Sequence, residues 1–245
     1  MKPFLLLSAL GIACLAAPLH AQEKKAPKDK GEDTTEDVSV PDAAAAEMAG
    51  TYVGAFGERK ITVSIEKVVG TTVLGYSIVA GNERAFSGSW KAEDGKITVV
   101  AKEPGDHPAD GVFHFSFATK PKALSGEWVA NDKKIGTRKF DLPARKFAYN
   151  PKAGQYPQAS ARVLKEADVE NLRPEELRIM RNEIYARRGY SFKLADMRQH
   201  FDALDWYMPV SVDISTKLSD TEKKNAELIK RYEKYSAEYY DDFGR

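Results

Sequence analysis

The sequence predicts an α+β protein: an N-terminal antiparallel up-and-down β-barrel of about eight strands, followed by a small C-terminal domain of three helices. Two observations support this fold class. Apolar and polar residues alternate from residue 48 to residue 147, and apolar residues recur at helical spacing across residues 163–240. Residues 148–162 contain prolines and a glycine and are interpreted as a linker between two independent domains.

Residues 1–21 have the features of a secretory signal peptide. Lys2 precedes a short apolar run, and the small residue Ala21 suits cleavage. We therefore expect an exported protein, periplasmic or extracellular, whose mature part has no transmembrane segment. The alternative is lipid anchoring at Cys14, the only cysteine in the chain. Cleavage after Ala21 would leave the mature protein without a thiol or a disulfide.

Residues 22–47 are rich in Lys, Glu, Asp and Thr and have few apolar positions, so a disordered linker is expected there. Two interpretations stay open for it: a tether that holds the folded part away from a surface, or a remnant of the leader. The whole chain has 37 basic and 36 acidic residues. This balance provides no net charge that would attract nucleic acid or an acidic membrane.

The barrel region consists of short alternating segments separated by turn signals such as Gly81-Asn82 and Pro104-Gly105. Closing consecutive hairpins on themselves removes exposed strand edges, which makes a barrel the economical arrangement. The apolar positions expected to face the interior include Ile61, Val63, Ile65, Leu74, Tyr76, Ile78, Phe86, Trp90, Ile97, Val99, Phe113, Phe115, Phe117, Leu124, Trp128 and Phe140.

The pattern apolar-Ser-Gly-x-Trp occurs twice, at residues 86–90 and 124–128. It predicts that Trp90 and Trp128 are buried and that each glycine leaves room for a neighbouring strand or ring. Together with the Gly-Thr-Tyr-Val-Gly segment at residue 50, this region resembles the small lipocalin-like or avidin-like barrels of secreted proteins. The resemblance implies a small apolar ligand inside the barrel, whereas the many large aromatic residues favour a filled interior.

Three helices are predicted beyond the linker. The first, within residues 174–189, begins at a proline and stops at a glycine. A second short helix has its apolar positions within residues 194–204. Ser219 and Glu222 have the spacing of a capping box and predict the start of the third helix.

Residues 181–189, Arg-Asn-Glu-Ile-Tyr-Ala-Arg-Arg-Gly, are followed at regular intervals by aromatic residues around Phe192 and Trp206. This arrangement resembles the YARHG domain, an extracellular module, over about residues 163–235. The sequence has Arg188 where the family usually has histidine. The resemblance implies a secreted or surface-exposed protein and no established enzymatic activity for the module.

The arginines and aromatic rings of this motif allow two interpretations. The favoured one is a structural network that locks the first helix to the loop before the third. The other is a binding site for an anionic sugar or a peptide carboxylate, because guanidinium groups stack on rings and bind carboxylates. Cell-wall polysaccharide or an envelope protein is the partner that such a site would suit. The candidate ligand-binding residues are Arg181, Arg187, Arg188, Tyr190, Trp206 and Tyr207.

The chain carries no Gly-x-Ser-x-Gly motif and no paired histidines, so no catalytic residue is assigned. Asp106, His107 and Asp110 share one loop but lack a regular ligand spacing, and neither a metal nor a cofactor is expected. The sequence favours a non-enzymatic, secreted cell-envelope protein with a binding or scaffolding role. The alternatives are an envelope hydrolase or lipid-modifying enzyme with a carboxylate-based site in the barrel, and an inhibitor of a secreted enzyme.

Overall fold

The structure is a computed structural model that describes residue 43 and residues 45–239. The predicted signal peptide, Cys14 and most of the predicted disordered linker lie outside the described residues. The N-terminal region forms one eight-stranded antiparallel sheet in which each strand pairs with the next along the chain. The strands are β1 (Gly50–Phe56), β2 (Arg59–Val69), β3 (Thr72–Val79), β4 (Asn82–Glu93), β5 (Lys96–Lys102), β6 (Gly111–Thr119), β7 (Lys122–Ala130) and β8 (Thr137–Pro143).

The sheet closes almost completely because its first and last strands meet. Tyr52 of β1 and Ala144, which follows β8, form an isolated antiparallel bridge. Gly54 lies so close to β8 that a Cβ atom at this position would be 2.9 Å from the carbonyl oxygen of Asp141. The predicted up-and-down barrel of about eight strands is therefore confirmed.

Large side chains fill most of the barrel interior. The ring of Phe113 has its centroid 5.5 Å from that of Phe86 and 6.1 Å from that of Phe140. Trp90 and Trp128 are both buried in the same core, as predicted. Such contacts between aromatic rings stabilise the core beyond the burial of their area alone.

One end of the barrel is closed by the residues that precede β1. Ala45 and Met48 are buried against the core, and the hydroxyl of Tyr52 donates a hydrogen bond of 2.6 Å to the carbonyl of Met48. The turns β2–β3, β4–β5 and β6–β7 lie at this end, which follows from the alternating direction of the strands. The opposite end therefore carries the turns β1–β2, β3–β4, β5–β6 and β7–β8, and we call it the mouth.

The two glycines of the repeated motif lie where neighbouring strands approach closely. A Cβ atom on Gly88 would be 2.0 Å from the carbonyl oxygen of Val100, and one on Gly126 would be 2.1 Å from that of His114. A side chain at either position would push the adjacent strand away. The predicted role of these glycines is confirmed.

Strand β3 faces the opposite way from the sequence expectation. The core residues of β2 pair with Gly75, Ser77 and Val79, which therefore face the interior. The residues predicted to face the interior, Leu74, Tyr76 and Ile78, point outward instead. Leu74 is consequently 39% exposed. Ile78 is fully buried nonetheless, because the helical region covers the outer face of the barrel there. The sequence pattern of an apolar residue that is buried beneath the helices is the same as that of a residue inside the barrel.

The helical region contains the three predicted helices and one additional short helix. Leu177, Met180 and Ile184 of the first long helix pack in one core with Ile229 of the last. Gly189 has a positive φ of 79° and ends the first long helix, as its sequence position predicted. None of the helices in the described part of the chain is long and apolar enough to cross a membrane. The helices are α1 (Gln158–Ala161), α2 (Pro174–Arg187), α3 (Ala195–Asp202) and α4 (Asp220–Tyr239), with a 3₁₀ turn at Glu166–Asp168.

Hydrogen bonds join the barrel to the helical region. The hydroxyl of Thr62, on the outer face of β2, donates to the carbonyl of Pro209 at 2.6 Å. The backbone N–H of Gly81, in the β3–β4 turn, donates to the hydroxyl of Ser191 at 3.0 Å. The Lys60 ammonium donates to two carbonyls of the loop after α3. The independence of the two predicted domains stays a prediction.

Candidate functional site

Arg187 is the centre of a buried network at the end of α2. Its guanidinium donates to the Glu183 carboxylate at 2.6 Å and to the carbonyl of Ala153 at 2.7 Å. The same carboxylate accepts the backbone N–H groups of Gln155 and Tyr156 at 2.7 and 2.8 Å. Burial lowers the pKa of Arg187. The pair holds the segment before α1 against α2.

Arg188 forms a second network. Its guanidinium donates to the fully buried carboxylate of Glu222 at 2.6 Å and lies 3.7 Å from the centroid of the Tyr149 ring. Glu222 also accepts the backbone N–H of Ser219, which completes the predicted capping box of α4. Burial raises the pKa of Glu222, but the hydrogen bonds from Arg188 and Ser219 outweigh it and hold this pKa below its ordinary value.

The remaining sequence candidates also have partners within the protein. Arg181 forms a double hydrogen bond with Glu233 of α4, at 2.7 and 3.0 Å. The hydroxyl of the buried Tyr207 donates to the carbonyl of Tyr190 at 2.6 Å, and the Trp206 ring packs edge-on against Tyr207. These bonds connect α2 to α4, and the segment after α2 to the loop that follows α3.

The six candidates do not converge on one cavity. Arg181 and Tyr190 line a surface groove of ≈ 490 Å³ on the helical region, together with apolar residues such as Phe192 and Leu194. The other four candidates do not line this groove. Arg187 and Tyr207 are buried.

A cavity of ≈ 280 Å³ lies at the mouth of the barrel. Its apolar wall consists of core side chains that include Phe56, Phe113 and Trp128. Polar residues from five strands or loops complete the lining: Arg59, Ser77, Asn82, Arg84, Glu103 and Arg138. The interior is thus filled in its middle and open at one end. An apolar pocket with a few convergent polar groups is the usual form of a small-molecule site.

Glu103 is buried in the wall of this cavity. Its carboxylate accepts hydrogen bonds from the Ser77 hydroxyl at 3.1 Å, the Gly111 backbone N–H at 2.8 Å and the Trp128 indole N–H at 3.0 Å. Burial raises the pKa of Glu103, and the hydrogen bonds from Trp128 and Ser77 only partly oppose it. The carboxylate therefore ties three strands together at the edge of the cavity.

Three arginines occupy inward positions at the ends of their strands. Arg59 pairs across the sheet with Phe56, Arg84 with Ser77, and Arg138 with Trp128, all of which line the cavity. Cross-strand partners share one face of a sheet, so these arginines face the cavity as well.

Their charges are balanced differently. Arg84 forms an ion pair with Asp110 at 3.0 Å. The guanidinium of Arg138 lies over the rings of Phe56 and Trp128, 5.3 and 5.8 Å from their centroids. Among the described residues, neither Arg59 nor Arg138 forms an ion pair with a carboxylate.

Sequence reasoning assigned no function to the charged residues of the mouth, although the two-residue period of the strands contained a signal. Arg138 stands two residues before the core residue Phe140, and Glu103 stands two residues after the core residue Ala101, so both continue an inward row. In the loop of Asp106, His107 and Asp110, the carboxylate of Asp110 forms an ion pair with Arg84 of the cavity lining. No cluster of metal-ligating residues occurs within residues 45–239.

Residues 153–234 match the family model of the YARHG domain. Comparisons with curated proteins and with solved structures find no match. The YARHG domain is an extracellular or envelope module of unknown function. The C-terminal region of the chain, which contains all six sequence-predicted candidates, is therefore similar to the YARHG domain, as its motif predicted.

Proposed function

We propose that the protein is an exported, non-enzymatic component of the cell envelope that binds a small ligand in the mouth of its barrel. The observation that supports this most is the ≈ 280 Å³ cavity, in which polar side chains surround an apolar wall. Its volume is just below the usual range of small-molecule pockets, which is roughly 300–1,000 Å³. The leader-like residues 1–21 and the extracellular character of the YARHG domain support export.

The helical region has a structural role in this proposal. Arg187 and Arg188 each form an ion pair with a buried carboxylate, and Arg181 forms one with a residue of another helix. A side chain that already holds two segments together is poorly suited to capture a polysaccharide. We therefore propose that the six sequence candidates form the favoured structural network, and that the region stiffens the wall of the barrel at β2 and β3.

One observation favours the enzymatic alternative: Glu103 is a carboxyl group with a raised pKa beside a cavity, which is a common property of catalytic acids. Its two oxygens, however, accept three hydrogen bonds from the protein, and the nearby Asp110 is paired with Arg84. A general acid or base needs access to the proton that it transfers. We therefore assign Glu103 a positioning role.

The indole N–H signals provide a direct test of the ligand site by NMR. The chain has three tryptophans: Trp128 lines the mouth, the Trp90 indole donates to Gly70 at the closed end, and Trp206 lies in the helical region. We expect the neutral probe N-phenyl-1-naphthylamine to shift the Trp128 signal and to leave the other two in place.

A pair of variants controls this experiment. Ala109→Phe adds a ring to a residue that lines the cavity, whereas Ala85→Phe adds the same ring to an exposed residue of β4. We expect the first variant to lose binding and the second to keep it. Equal binding by both, or a shift of all three indole signals, would contradict the proposed site.

Export has its own test. We expect the secreted or periplasmic form to begin at Gln22, as N-terminal sequencing would show. Retention of the leader in that fraction, or lipid attached to Cys14, would contradict cleavage after Ala21.

A further inference from the structure

The arrangement of charge at the mouth indicates which ligands fit it. We propose that the cavity selects small organic anions, in which a carboxylate or phosphate group is attached to an apolar body. This inference deepens the proposed ligand site and depends on it. Three observations support it: the register of the arginines, their pairing, and the position of Glu103.

The register places the exposed Arg59 and the half-buried Arg138 on the cavity side of the barrel wall rather than on its outer side. Each lies two residues before a core residue, Ile61 and Phe140 respectively. An arginine whose only purpose was solubility would be expected at the outward positions of these strands, where Lys60 and Lys139 stand. Two guanidinium groups therefore face one cavity from β2 and β8.

The pairing leaves these two cations without a direct ion pair. Arg84 is neutralised by Asp110, whereas neither Arg59 nor Arg138 forms an ion pair among the described residues, and Arg59 is attracted only at longer range to the carboxylate of Asp202. Glu103 is the carboxylate in the lining of the cavity, and the protein already supplies it with three hydrogen-bond donors. Like charges that share a cavity repel each other, and a bound anion would relieve this repulsion.

The chemistry of the two cations fits an oxyanion. Guanidinium groups present a planar set of donors that matches carboxylate and phosphate oxygens. Arg138 also stacks on Phe56 and Trp128, so its charge lies directly beside apolar wall. A ligand whose charged group contacts Arg59 and Arg138 would thus place its apolar body against these rings.

A series of ligands with one tail and different head groups tests this inference by isothermal titration calorimetry. We expect octanoate and octyl phosphate to bind at least tenfold more tightly than 1-octanol, and octylamine to bind more weakly than 1-octanol. Octanoate represents carboxylic acids and octyl phosphate represents phosphate esters. The anion that binds more tightly shows which of these two classes the cavity prefers. Both results support the shared oxyanion chemistry.

Variants of the mouth connect the selectivity to the arginines. Arg138→Gln and Arg59→Gln should each weaken octanoate roughly tenfold and reduce the preference for octanoate over 1-octanol. Lys139→Gln is the matched control, because it removes a positive charge from the outward residue next to Arg138. It should bind octanoate like the parent protein. Circular dichroism establishes that each variant is folded.

The possible failures are distinguishable. If 1-octanol and octanoate bind equally, or if the Arg→Gln variants bind octanoate like the parent, selection for anions is wrong. In that case the ligand site itself would still be supported if a probe shifts the NMR signal of the Trp128 indole N–H and Ala109→Phe abolishes this shift. If neither the octyl compounds nor the neutral naphthylamine shift the Trp128 signal, the ligand site and its selectivity are both refuted.

Discussion

Replacing Arg187 by methionine removes one partner of a buried ion pair and keeps a side chain of similar length. The side chains of Arg187 and Glu183 are 0% and 1% exposed, so solvent cannot compensate the charge that remains on Glu183. The change also removes the donors to the carbonyl of Ala153 and to the hydroxyl of Ser160. Breaking a buried pair in this way typically costs about 3–5 kcal/mol.

The structure favours the lower end of that range. Glu183 keeps two backbone donors, from Gln155 and Tyr156, which continue to stabilise its ionised form. We therefore expect Arg187→Met to lower the free energy of unfolding by about 3 kcal/mol. Urea unfolding followed by far-ultraviolet circular dichroism measures this change, because the loss should affect the helices first.

Two further variants make the measurement specific. Arg187→Met combined with Glu183→Gln should cost less than the sum of the single changes, since no buried charge is left alone. Arg173→Met removes an arginine from the exposed pair with Glu176 and should leave the unfolding midpoint in place. An Arg187→Met variant that unfolds at the same urea concentration as the parent would refute the structural role of the network.

Three other changes test separate parts of the structure. Gly88→Ala should destabilise the barrel by roughly 1–3 kcal/mol in urea unfolding, because its Cβ would overlap β5, whereas the exposed neighbour Ser89→Ala should have no effect. Burial raises the pKa of Asp202, so the folded state binds the proton of this carboxyl group more tightly than the unfolded state does. The free energy of unfolding should therefore fall as the pH rises from the ordinary pKa of an aspartate to the raised pKa of Asp202. Asp202→Asn should flatten that part of the stability profile. If the two regions are independent domains, Thr62→Glu should separate them, and calorimetry should then show two transitions; a single transition with loss of both regions would argue against independence.

The barrel could be predicted because its strands are short, consecutive and separated by turn signals. Pairing of each strand with the next requires no long-range information. The repeated motif also predicted correctly that Trp90 and Trp128 are buried and that Gly88 and Gly126 allow close approach. The capping box of Ser219 and Glu222 is equally local, and the structure confirms it.

The errors and omissions arise where distant parts of the chain meet. Ile78 looks like an interior residue, but it is buried by the helical region, some of which is more than a hundred residues away. Glu222 is both a helix cap and the partner of Arg188, and only the first role depends on neighbouring residues. The mouth combines Arg59, Glu103 and Arg138 from three separate strands or loops, and no short motif contains them.

The closure of one barrel end by Ala45 and Met48 has a kinetic consequence. If a ligand occupies the cavity at the mouth, as proposed, it must enter and leave by the same opening, so it passes the same side chains in both directions. Substitutions around the opening should therefore change how long a molecule stays as well as how readily it arrives. Substitutions at the closed end, such as at Met48, should alter the stability of the barrel rather than the rates of ligand entry and exit.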